Sequence, residues 1–65
     1  MEISWIKYSE TVDIFEVRNF LFERKCVKGT TIYEIWKNSE ELIFRMPDYT
    51  DFIGIAQAIM DRKVA

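Results

Sequence analysis

The residue types that usually carry chemistry are scarce in this chain. Histidine is absent and Cys26 is the single cysteine. Imidazole is the ordinary general base near neutral pH, so the common hydrolase and ribonuclease mechanisms lack their base. Ser4, Ser9 and Ser39 have no activating partner of the triad kind. One thiol without imidazole cannot supply the four ligands of a zinc site. Cys26 has no partner for an internal disulfide, reads as a buried or inert thiol, and suits a reducing, cytoplasmic setting. The carboxylates remain. Glu40 and Glu41 are neighbours, and neighbours on a strand point to opposite faces, which makes a poor acid–base pair. Asp48 and Asp51 read as a helix cap and a first-turn acid rather than a catalytic pair. A carboxylate-only magnesium site has no spacing signature here. These residues argue against an enzyme, and no catalytic residue, metal ligand or cofactor is assigned.

The elements that must position any site follow from the apolar pattern. Ile3, Trp5, Ile6 and Tyr8 suit a short strand or an extended arm. From Val12 to Lys25 the spacing of Ile14, Val17, Phe20 and Leu21 predicts a helix. Ser9 or Thr11 would cap it, with Glu10, Asp13 and Glu16 early and Arg24 and Lys25 late, as the helix dipole prefers. The competing reading is strand, because Val12 and Ile14, then Phe20 and Phe22, alternate. Length and the charge gradient favour the helix. Cys26-Val27-Lys28 could form a short strand before a turn at Gly29. Residues 30–36 are rich in β-branched and aromatic side chains and read as strand. Residues 37–40 read as a hairpin turn. Residues 41–46 alternate, with Leu42, Phe44 and Met46 on one face and Glu41, Ile43 and Arg45 on the other, and Pro47 ends the ladder. A final helix is capped by Asp48 or Thr50. It buries Phe52, Ile55, Ala56 and Ile59, with Ile53 and Met60 widening the stripe, and places Arg62 and Lys63 at its end. The expected fold is a single α+β domain over residues 1–65: helix, two or three antiparallel strands, helix.

Size and composition narrow the function. At 65 residues the core is small, and neither a disulfide nor a zinc staple is available to it. Five Phe, three Tyr and two Trp are too many rings for so small an interior, so some must be half-exposed. If clustered, they would mark a partner or dimer surface. A net charge of −2 and a pI near 5.0 argue against a sequence-independent nucleic-acid binder. The charge is also too mixed for a mimic of DNA built from massed carboxylates. No apolar run is long enough to cross a membrane as a helix, and the first residues, Met1-Glu2-Ile3-Ser4, do not read as a signal peptide.

The order of elements, with particular residues, resembles the HicA-type toxins, small RNA-cleaving proteins with a fold like a double-stranded-RNA-binding domain. Phe20-Leu21-Phe22 would end the first helix. Lys25-Cys26-Val27-Lys28-Gly29 would be the first strand and its glycine. Thr30-Thr31-Ile32-Tyr33 stands where that family carries Gly-Ser-His and hydrophobic residues, and Met46-Pro47 looks like the close of the third strand. The resemblance covers roughly residues 12–63. Thr31 occupies the position of the family's catalytic histidine, so the resemblance implies an RNA-binding domain without nuclease activity. Arg24, Lys25, Lys28 and Thr31 would then contact phosphate, and Arg18 would join their basic patch.

The leading expectation comes from size and composition. It is a non-catalytic protein-binding module, a regulator or inhibitor that occludes a partner protein's site. Tryptophan and tyrosine dominate binding hot spots, which makes Trp5, Tyr33, Trp36 and Tyr49 the candidate contacts. So small a core would also gain from a homodimer.

Overall fold

The computed structural model describes residues 3–61. Five strands follow one another: β1 (Ile6–Lys7), β2 (Val12–Val17), β3 (Phe20–Val27), β4 (Thr30–Lys37) and β5 (Glu41–Met46). One helix follows, α1 (Tyr49–Met60). The strands form a single antiparallel sheet in the order β1-β2-β3-β4-β5, a plain meander in which every strand pairs with the next.

This overturns the expected helix–strands–helix order. Val12 to Lys25 is a β-hairpin, turned at Arg18 and Asn19, with Arg18 at φ +54°. The charge gradient that suggested a helix dipole has another cause. In the hairpin, Asp13 on β2 lies directly opposite Arg24 on β3, and Arg24 Nη2 donates to Asp13 Oδ2 at 2.9 Å. Acids on one strand and bases on the next satisfy cross-strand pairing as well as they would satisfy a dipole. Phe15 opposite Phe22, and Val17 opposite Phe20, then put four apolar side chains on one face. Short runs of this kind cannot be separated into helix or strand by periodicity alone.

Two of the turns fall where the sequence placed them, at Gly29 and at residues 37–40, while the turn at Arg18 and Asn19 does not. Lys28 and Gly29, at φ +52° and +80°, form the two-residue link between β3 and β4. Positive φ at both positions is the geometry that matches the twist of the flanking strands. Asn38 and Ser39, at φ +55° and +59°, begin the link to β5. The Asn38 amide donates to Asn19 O at 2.7 Å, tying together two turns at the same end of the sheet. Asp48 caps α1 through its carboxylate, which accepts from the amides of Thr50 at 2.7 Å and Asp51 at 3.1 Å. Arg62 and Lys63, expected at the end of the helix, lie outside the described residues.

The core lies between α1 and one face of the sheet. Phe22, Ile35 and Phe52 are fully buried, with Tyr33, Ala56 and Ile59 around them. Each large side chain removed from water contributes roughly 1.5–3 kcal/mol. Phe52 is the hub. Its ring stacks on Tyr33 at 4.8 Å between centroids, meets Phe22 edge-on at 5.7 Å and stacks on Trp5 at 6.0 Å. Arg24 covers Trp5, its guanidinium carbon 4.7 Å from the ring centroid.

The expected facing of β5 is corrected at one point. The β4–β5 register slips between Ile35 and Trp36, so Leu42 pairs with Trp36 while Phe44 pairs with Ile35. Paired residues share a face, which separates Leu42 from Phe44 and Met46. The extra residue, Ile43, packs against the core, where simple alternation placed it on the other side.

Candidate functional site

The face of the sheet turned away from α1 carries the most developed polar arrangement in the molecule. Its middle row runs Ile6, Ile14, Glu23, Glu34 and Arg45 across the five strands. Apolar side chains flank that row. On one side stand Val12 and Ile32 with Lys25 between them, and on the other Leu21, Trp36 and Leu42, with the exposed Glu16 at the β2 end of that row. Among the described residues no helix covers this face.

Glu34 is only 3% exposed even though it lies on the uncovered face. Its neighbours enclose it. Lys25 Nζ lies 3.0 Å from Oε1, the Trp36 indole N–H donates to the same oxygen at 3.1 Å, and Arg45 Nε lies 3.4 Å from Oε2. Burial alone would raise the pKa of Glu34, but hydrogen bonds from Lys25, Glu23 and Trp36 outweigh it and hold the carboxyl below its ordinary value. Glu23, directly across on β3, is pushed the other way by burial and by the neighbouring Glu34. Its Oε1 atom is buried without a hydrogen bond among the described residues, and Lys25 Nζ is 3.5 Å away. Lys25 is raised above its usual value, chiefly by its bond to Glu34. Two acids and two bases thus neutralise one another in the middle of an apolar surface.

The four aromatic candidates are not brought together. Trp5 and Tyr33 pack on Phe52 beneath α1, and Tyr49 leans on Tyr33 with centroids 5.5 Å apart. They belong to the helix side, where Tyr33 is buried and Tyr49 is half-exposed. Trp36 alone reaches the uncovered face, beside Leu21 and Leu42.

The basic patch is dispersed as well. Arg18 and Lys28 sit in turns at opposite ends of β3. Arg24 and Lys25 point to opposite faces, the first paired with Asp13 and the second with Glu34. Thr31 lies across from Cys26, and both line a shallow cavity of about 150 Å³ together with Arg24 and Lys25, so three of the four expected phosphate contacts border one small cavity, beside Asp13 and Glu10. Cys26 is exposed, so of the expected buried or inert thiol the buried alternative does not hold; it lies next to the last residue of β3, beside the β3–β4 turn.

Sequence reasoning missed Leu21, Leu42, Glu34 and Arg45 as members of one surface. Glu34 and Trp36 stand two apart in a strand, which was enough to place them on one face. The partners from β3 and β5 needed the register. Among the described residues no group of three or more potential ligands is placed to hold a metal ion, and no helix is long and apolar enough to cross a membrane. Comparison with protein-family models, curated proteins and solved structures finds no match for this chain.

Proposed function

We propose that this protein is a non-catalytic binding module that docks a partner protein on the helix-free face of its sheet. The observation that carries this reading is an apolar surface, Leu21, Trp36, Leu42, Val12 and Ile32, running beside a charge row that is already internally neutralised. Docked interfaces have this anatomy: a desolvated aromatic anchor, apolar neighbours and a polar group that sets register. Trp36 is the anchor. Its indole is held by Glu34, so little rotamer freedom is lost on binding. Arg45 contacts Glu34 through Nε, and with its side chain 57% exposed its remaining guanidinium N–H groups can meet a carboxylate of the partner. Such a module would regulate or inhibit by covering the partner's own site. The RNA-binding alternative has less support: Arg18 and Lys28 lie at opposite ends of β3, and Arg24 and Lys25, which border one cavity with Thr31, are already paired with Asp13 and Glu34.

The test uses Leu42→Glu and Arg45→Glu, both at exposed positions, with Trp36→Ala as the anchor deletion. Immobilised protein should retain from its native cells a partner that all three variants lose, with Trp36→Ala costing at least ~2 kcal/mol of affinity. A partner held equally by folded forms of all three would sink this reading. Salt-sensitive binding of labelled RNA, unchanged by the same variants, would replace it with the nucleic-acid alternative.

A further inference from the structure

On the opposite side of the molecule, beside α1, a second surface is left open. A cleft of about 530 Å³ runs between the helix and the β4–β5 end of the sheet. Ile43, Ile55 and Ile59 form its floor and wall, and Phe44, 40% exposed, stands at its mouth. Two features of this cleft have no reason among the described residues.

The first is Gly54. It sits in the interior of α1, where glycine costs about 1 kcal/mol relative to alanine. Its φ is not positive, and a Cβ added there would meet nothing within 4 Å. Neither backbone geometry nor packing within the chain asks for glycine. With Ala58 one turn later, it leaves a shallow notch in the cleft wall.

The second feature is electrostatic. Lys37 and Glu41 are cross-strand partners at the end of the cleft, yet neither has an ion pair among the described residues. Adjacent opposite charges beside an apolar patch are self-complementary. A two-fold axis passing between them brings each lysine to the other copy's glutamate, and the pairing forms twice. No single-sign ligand satisfies both groups in this way.

We propose that two copies of this chain associate across this cleft, each copy's Phe44 entering the notch at the other's Gly54 and Ala58, and each Lys37 pairing with the other's Glu41. The notch explains the glycine, since only a close external approach benefits from the missing side chain. The surface is small, so the dimer is weak, with a dissociation constant of about 10–100 µM. It leaves the opposite sheet face free, so the dimer stands or falls independently of the partner-docking reading.

Sedimentation velocity over a concentration series from ~1 to ~500 µM tests it. Wild type should pass from monomer to dimer. K37E and E41K should each weaken association at least about fivefold, and an equimolar mixture of the two should recover it, because the reversed charges match again across the axis. G54L should melt at a higher temperature, since leucine is a better helix former and its Cβ meets nothing within 4 Å, while losing the dimer. That combination separates blocked association from failed folding. A wild-type chain that stays monomeric throughout the series overturns the proposal. So does a dimer indifferent to G54L and F44A, or one dissolved by Trp36→Ala instead.

Discussion

Glu23 and Glu34 stand directly opposite each other on adjacent strands, and their environments drive their carboxyl groups in opposite directions. Glu34 takes the cations and the indole, while Glu23 has its bond to Glu34, one lysine at 3.5 Å and a buried Oε1 without a partner among the described residues. Like charges directly across a ladder are destabilising unless something neutralises one of them. Here Glu34 is compensated and Glu23 bears the cost.

The pH consequence has opposite signs for the two. Glu34, lowered in the folded state, contributes stability above its unfolded value near 4.5, lost as the pH falls through the lower folded value. Glu23, raised in the folded state, contributes stability below about 4.5, lost as the pH rises through the higher folded value. At pH 7, Glu23→Gln should therefore raise the melting temperature, by the equivalent of about 0.5–1.5 kcal/mol, and the gain should vanish near pH 4. Glu34→Gln should lower it at pH 7 by about 2 kcal/mol, a buried ion pair broken but partly relieved by the exposure of Arg45. Thermal melts at both pH values check the pair. Equal effects of the two substitutions would refute the assignment.

Phe52 is the side chain on which the helix–sheet contact turns. Truncation to alanine removes contacts to Trp5, Phe22, Tyr33 and Tyr49 at once. A buried Phe→Ala change costs about 3–5 kcal/mol, as much as a core of this size supplies. Phe52→Ala should be unfolded at 25 °C by near-ultraviolet circular dichroism. A cooperative melt above 40 °C would contradict the packing described.

The β3–β4 turn holds a lysine in a conformation that asparagine or glycine adopts more readily. Lys28→Asn should stabilise by about 0.5 kcal/mol, and Gly29→Ala, at φ +80°, should destabilise by about 1 kcal/mol. Urea unfolding midpoints read both changes, whose signs must differ.

Asp48→Ala removes the acceptor for the amides of Thr50 and Asp51. The loss should be about 1 kcal/mol, and Asp48→Asn should recover most of it. If the asparagine variant is as unstable as the alanine one, the effect belongs to charge at the helix start and not to the cap.

Local chemistry was enough for much of this fold. Gly29 and residues 37–40 announce turns. Thr30 to Trp36 is β-rich, Pro47 ends a ladder, and Asp48 followed by the stripe of Phe52, Ala56 and Ile59 specifies a capped helix. Each signal acts within a few residues, where backbone preference and side-chain spacing decide the outcome. Val12 to Lys25 lay beyond such reasoning. Its acids and bases satisfy a helix dipole or a cross-strand pair equally well, and only the pairing of Asp13 with Arg24, and of Phe15 with Phe22, chose the hairpin. The same holds for the two proposed surfaces. Trp36 stood out by residue type, but its companions Leu21, Leu42 and Arg45 come from two other strands, β3 and β5. A one-residue slip at Ile35 and Trp36 sends Leu42 to one face and Phe44 to the other. Side-chain facing has a period of two, so a single bulge reverses it, and that reversal exists only once the strands have paired.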